Sequence, residues 1–152
     1  MSTTAPIILA IETRAAPDRA WAFITNPDLV ARWFAEASAL GDVGTPYRID
    51  CGDGSVVEGR IVEVEPGRSF AHEWAWLEDE PMGAQGRPTV VRWAVEPLAG
   101  GGSRVALVHD GWAESGADDA IRDDHEAYWS GYMDDLRDLL EEAPAAATGG
   151  AD

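Results

Sequence analysis

The sequence predicts an α+β fold: a curved antiparallel sheet of about six strands wrapped around a long C-terminal helix, with two short helices after the first strand. Three observations carry this. From about Tyr47 to Asp110 apolar residues alternate with period two, in segments separated by Gly, Pro and Asp turns. Near Ser115 the period becomes helical. Only that last helix is long and apolar enough to cover the concave face of such a sheet.

The elements follow in order. Ile7–Thr13 (IILAIET) is β-branched and apolar, with Ile7, Leu9 and Ile11 on one face. Pro17 suits the first turn of a helix whose apolar side is Trp21, Phe23 and Ile24. Asn26 and Pro27 end that helix, and Asn26 can cap the next, DLVARWFA, which carries Leu29, Val30, Trp33 and Phe34. Then come strands over Tyr47–Cys51, Ser55–Glu65, Ser69–Leu77, Thr89–Glu96 and Arg104–Asp110. Gly52-Asp53-Gly54, Pro66-Gly67, the Glu78–Pro88 loop and Gly100-Gly101-Gly102 join them as an antiparallel meander. The helix presents Ile121, His125, Tyr128, Trp129, Tyr132, Met133, Leu136 and Leu140 at i, i+4, i+7 and i+8 spacing. Residues 1–142 read as one domain in which the sheet grips the last helix, a helix-grip fold; 143–152 read as a disordered tail of small residues.

Composition narrows the function. The 152 residues carry 28 Asp and Glu against 11 basic residues, all arginine, for a net charge of −17. A surface this negative repels phosphate backbones and anionic lipid, so neither nucleic acid nor membrane is an expected partner. Hydrophobic content of 45% argues against a disordered acidic chain. Cys51 is the single cysteine and cannot form an internal disulfide. There is no basic n-region with an apolar run behind it, and the expectation is a soluble, cytoplasmic protein. Ten acidic residues and two arginines fall between 118 and 142, read as the solvated back of the last helix or as a docking face for a basic protein partner. Pairing with a second copy of the chain stays open.

Strand parity selects the inward side chains. In 69–77 the outward Glu73 leaves Phe70, His72, Trp74 and Trp76 on the concave face. Likewise Val91, Trp93 and Val95 face inward, as do Val105, Leu107 and His109. On the helix His125, Tyr128, Trp129 and Tyr132 share the apolar stripe. All three histidines and four of the seven tryptophans are therefore expected inside. The candidate ligand-binding residues are His72, Trp74, Trp76, Trp93, His109, His125, Tyr128, Trp129 and Tyr132, a wall suited to a flat apolar or aromatic molecule with a few polar groups. Packing alone would also account for the tryptophans, and buried carbonyls for the histidines. Glu58 and Arg60 share parity with Val62 and Val64, which points to an ion pair at the cavity mouth; an exposed pair or a bulge near Gly59 is the alternative. The Glu78–Pro88 loop is a candidate lid. With no HxxxH or CxxC spacing, no metal or other cofactor is expected, and Cys51 has no basic neighbour to make it a nucleophile.

Four stretches in register resemble a known family: IETRAAPDRAWAFITNPDLVARWFA (11–35), GRIVEVEPGRSFAHEWAW (59–76), TVVRWAVEPLAGGGSRVALVHDGW (89–112) and HEAYWSGYMDDLRDLL (125–140). Trp21, Trp33, Pro66, Trp74, the His109-x-Gly111 pattern and the His125-x-x-x-Trp129 pattern fall at its characteristic positions. The family is the START-like, birch-pollen-allergen-like (SRPBCC) superfamily, in the branch named for the activator of the heat-shock-protein ATPase. The resemblance implies ligand-binding, cyclase-like and co-chaperone members, and to the eukaryotic co-chaperone it extends only over that protein's second domain. The preferred reading is a non-enzymatic binding or carrier module for a small hydrophobic molecule. The alternatives are a cyclase- or dehydratase-like enzyme acting on a polyketide-type carbonyl substrate and a co-chaperone-like interaction domain.

Overall fold

A computed structural model describes residues 6–38, 41–50, 56–76, 89–112 and 119–142. The strands are β1 (Ile7–Thr13), β2 (Glu36–Ala37), β3 (Pro46–Asp50), β4 (Val56–Glu65), β5 (Ser69–Trp76), β6 (Thr89–Pro97) and β7 (Ser103–Asp110). The helices are α1 (Pro17–Thr25), α2 (Pro27–Trp33) and α3 (Asp119–Glu141). One seven-stranded sheet runs β1-β7-β6-β5-β4-β3-β2, with every paired neighbour antiparallel. The expected count of six grows by β2, two residues opposite Asp50 and Ile49, too short to show any period. Cys51, the Glu78–Pro88 loop and the 143–152 tail lie outside the described residues.

Local chemistry places the elements. Pro17 occupies the first turn of α1, and the α1–α2 joint is held by Asn26, whose side chain accepts the Asp28 N–H at 2.9 Å. The alternation of β5, β6 and β7 puts Phe70, His72, Trp74, Val91, Trp93, Val95, Val105, Leu107 and His109 in the core. From α3 come Trp129, Met133, Leu136 and Leu140. The Trp33 indole donates to the Phe23 carbonyl at 2.7 Å, tying α2 to α1.

The parity of β4 decides between the two readings of Glu58 and Arg60 in favour of the exposed one, with a bulge in the same strand. Glu58 and Arg60 lie outside: Glu58 pairs with Arg48 at 2.8 Å and the Arg60 guanidinium donates to the Gly44 carbonyl. Ile61 faces His72 while Glu63 faces Ala71, so Val62 is an extra residue, and the bulge reverses parity between Ile61 and Val64. Reading inward from Val64 therefore puts Glu58 and Arg60 on the wrong face. On the same strand Gly59 is required by close approach, because a Cβ there would lie 2.5 Å from the Glu73 carbonyl oxygen. Gly59→Ala is expected to cost about 1–3 kcal/mol in urea unfolding, because backbone rather than a flexible side-chain tip has to move. A cost near zero would show that the strands part there freely.

Both ends of α3 are pinned to β1. At the start, the buried Arg122 guanidinium donates to the Pro6 carbonyl at 3.2 Å and pairs with Glu126 at 2.6 Å. At the end, the Glu141 carboxylate accepts from the Thr13 hydroxyl, from the Arg14 N–H at 2.7 Å and from Arg14 Nε at 2.8 Å. Those hydrogen bonds, the Thr13 hydroxyl first, pull the Glu141 carboxyl down to about 2.

Candidate functional site

The inner face is a continuous field of aromatic rings. Trp74 on β5 and Trp129 on α3 approach to 5.1 Å between ring centroids, and Trp129 meets Trp93 of β6 edge-to-face at 5.7 Å. Phe34, where α2 ends, joins them: it lies 5.2 Å from Trp129, 4.6 Å from Tyr132 and 6.4 Å from Trp74. Such pairs add about 0.5–1.5 kcal/mol each beyond the area they bury, so the face is rigid as well as apolar.

Into this field the sheet and helix insert three imidazoles, each in a different state. His109 is fully committed. The Trp129 indole can only donate, and it donates to His109 Nδ1 at 3.0 Å. Nε2 must then carry the proton, which goes to the Thr89 hydroxyl at 2.7 Å, and that hydroxyl donates on to the Trp74 carbonyl at 3.2 Å. The result is a one-directional chain from α3 through β7 to β6 and β5. Burial, followed by the charges His125 and His72 would carry, holds His109 well below the ordinary imidazole range, so it stays neutral.

His72, 1% exposed, donates through Nδ1 to the Glu73 carbonyl at 3.1 Å. That leaves Nε2 as the nitrogen with the lone pair. Burial lowers its pKa to about 4, against a small opposing effect of that carbonyl. Its ring stacks on Tyr47 of β3, centroids 4.5 Å apart and planes 19° from parallel. Burial also raises the Tyr47 hydroxyl, so the phenol keeps its proton. His125 is half-buried at the helix edge, its ring 5.2 Å from Trp112, 5.7 Å from His109 and 6.3 Å from Trp74.

Of the nine residues the sequence selects, His72, Trp74, Trp93, His109 and Trp129 are buried together, and His125 and Tyr132 flank them half-buried. Tyr128 does not join: it is 69% exposed. The buried stripe of α3 runs through Arg122, Trp129, Met133, Leu136 and Leu140, and at 3.6 residues per turn Tyr128 lies about 110° from its centre. Trp76 is described by its backbone alone, opposite Val57.

Sequence reasoning missed Phe34, Tyr47, Thr89 and Trp112 as site residues. Tyr47 and Thr89 carry a legible signal, since they share parity with Ile49 and with Val91 and Trp93. Trp112, whose indole donates to the His109 carbonyl at 2.9 Å, follows directly on β7. Phe34 has no periodic signal because it sits where the helix stops.

Among the described residues no three His, Cys, Asp or Glu side chains are grouped as a metal ion would require. A cavity of about 320 Å³ opens elsewhere, lined by Thr13, Arg14, Leu98, Gly100 and Glu141 among others. Its lining holds no aromatic ring, and the Arg14–Glu141 pair there is already satisfied. Among the described residues no helix is long and apolar enough to cross a membrane.

Comparison with known proteins places this arrangement. The family described as Activator of Hsp90 ATPase homolog 1-like protein matches residues 14–141. No curated protein matches the chain. Among solved structures it is similar to DynU16, a protein in the dynemicin biosynthetic locus, with a TM-score of 0.78 and 23% identity over 92% of this chain and 48% of DynU16. The chain thus spans about half the length of DynU16. It is similar to the Aha1 dimer from Colwellia psychrerythraea (TM-score 0.71, 19% identity, 91% of this chain and 97% of that one). It is likewise similar to CalU16 from Micromonospora echinospora (TM-score 0.70, 19% identity, 93% and 79%). At these identities the likeness is one of fold.

Proposed function

As the chain belongs to the Activator of Hsp90 ATPase homolog 1-like family, we propose that it is a binding or carrier domain for a small, flat, mostly apolar molecule held between the sheet and α3. The observation that carries this reading is the ring field itself. Phe34, Trp74, Trp93, Trp129 and Tyr132 converge from α2, β5, β6 and α3, and burial holds His72 and His109 among them neutral. Aromatic walls with a few placed polar atoms are what a planar ligand needs, and they offer no counter-charge for an ion. The description of DynU16, which places that protein in a biosynthetic locus, supports a small-molecule role.

Native mass spectrometry of the chain purified from its own host tests it. The expected result is a mass increment that disappears on denaturation, together with quenching of tryptophan fluorescence when a planar aromatic compound is added. A chain that carries nothing and responds to no member of an aromatic library overturns the reading.

A catalytic reading has one observation in its favour, the lone pair that His72 retains beside the ring field. In a cyclase- or dehydratase-like reaction, His72 or His125 would take a proton from the carbonyl substrate and Tyr132 would stabilise the enolate oxygen. His109 is unsuited to that task, since both its nitrogens are engaged. Turnover left unchanged by His72→Ala and by His125→Ala would sink it.

A further inference from the structure

The stacked Tyr47–His72 pair offers two polar atoms on the inner face that no hydrogen bond among the described residues consumes. His109 is hydrogen-bonded at both nitrogens, and the Trp129, Trp112 and Trp33 indoles each have an acceptor. His72 is different: Nδ1 is held by the Glu73 carbonyl, and no described residue brings a hydrogen to Nε2, although the side chain is almost wholly buried. The Tyr47 hydroxyl, on the ring stacked against it, likewise has no hydrogen-bond partner among the described residues. Neither atom is among the wholly buried side-chain atoms left without a partner, so both reach accessible space, and an acceptor and a hydroxyl open side by side on two stacked rings can take a partner outside the chain.

We propose that His72 and Tyr47 together recognise an uncharged aromatic ligand through its hydroxyl group. His72 Nε2 accepts the ligand O–H, and the Tyr47 hydroxyl donates to a ligand oxygen. This rests on the binding reading above and sharpens it to a substrate class. The charge pattern selects against anions. The chain has no lysine, and the arginines nearest in sequence to Tyr47, Arg48 and Arg60, are turned outward and engaged by Glu58 and the Gly44 carbonyl. A carboxylate or phenolate beside His72 would be buried without a counter-ion. Specificity follows from the same atoms: a site built to bond a hydroxyl discriminates strongly against the analogue that lacks it.

Calorimetric titration of the full chain with 2-naphthol, 2-methoxynaphthalene and 2-naphthoate tests this. The three share one ring system and differ in having a donor, no donor and a negative charge. Expected is binding of 2-naphthol at least about tenfold tighter than 2-methoxynaphthalene, with 2-naphthoate weakest. His72→Phe should erase that preference while 2-methoxynaphthalene still binds. Because that variant could fail to fold, the wild-type comparison is joined by the imidazole ¹⁵N spectrum, in which the Nε2 signal of His72 should move on adding 2-naphthol but not 2-methoxynaphthalene. Equal binding of the two with an unmoved Nε2 signal overturns this inference and leaves the binding reading standing. Preference for 2-naphthoate overturns the uncharged ligand class. Binding by none of the three overturns the inference and the binding reading together.

Discussion

Replacing His109 with alanine is expected to destabilise the chain by about 3–5 kcal/mol, among the largest effects of any single substitution here. Two costs combine. The Trp129 indole N–H and the Thr89 hydroxyl both lose their imidazole partner inside the core, and a buried donor without an acceptor costs about 1–3 kcal/mol. The vacated ring leaves a cavity among Trp74, Trp112 and Trp129, which cannot collapse freely because each is held by other rings. Urea unfolding measures the sum. The double-mutant cycle with Trp129→Phe isolates the indole–imidazole bond, since the two changes remove the same contact and must fall short of adding. A loss below about 1 kcal/mol would show that the relay does not form.

Acidification should produce the second large effect, and its sign is settled by the histidines. His72 titrates at about 4 in the folded chain against an ordinary 6.5, so the unfolded state takes up the proton first. The stability His72 contributes is complete above pH 6.5 and is lost as pH falls toward 4. By pH 5 it amounts to about 2 kcal/mol, and over the whole interval to roughly 3. His109, also depressed, adds a loss in the same direction. Glu141 follows lower down, between its ordinary 4.5 and about 2. The acidic surface acts oppositely, because protonating carboxylates relieves the self-repulsion of a −17 chain, but few of them protonate above pH 5. The window from pH 7 to 5 therefore reports His72 and His109. A urea midpoint that falls across it is expected, and one that stays level or rises would mean that neither ring is buried neutral.

Much of the fold is legible because its elements are periodic. The alternation in β5, β6 and β7 places nine side chains without any tertiary information, and Asn26-Pro27 marks the helix joint through a cap that is itself local chemistry. What escapes is what periodicity does not encode. The bulge at Val62 inverts parity within one strand and sends Glu58 and Arg60 to the opposite face. The stripe of α3 is broad enough in sequence to include Tyr128, and only the packing of Trp129, Met133 and Leu136 against the sheet shows where its centre lies. Phe34 enters the ring field from the end of a helix, and Tyr47 stacks on His72 across β4, which lies between their strands. Contacts of that kind belong to the assembled sheet. The histidines were visible as inward residues, but which is committed and which retains a lone pair depends on partners from other elements.

The pinning of α3 along β1 has a consequence for how the chain is made. The two anchors join residues 116 and 127 positions apart, and among the described residues β1 pairs with β7. During synthesis the first strand leaves the ribosome long before anything it pairs with exists, and the last turn of α3 closes the structure. Until β7 exists β1 has no strand to pair with, and until α3 docks the tryptophans beneath it face water. So non-local a closure favours slow folding and makes the interval before it the time at which aggregation is most costly. A strongly negative chain repels its own copies through that interval, which gives its acidic excess a task in the nascent state as well as in the folded one.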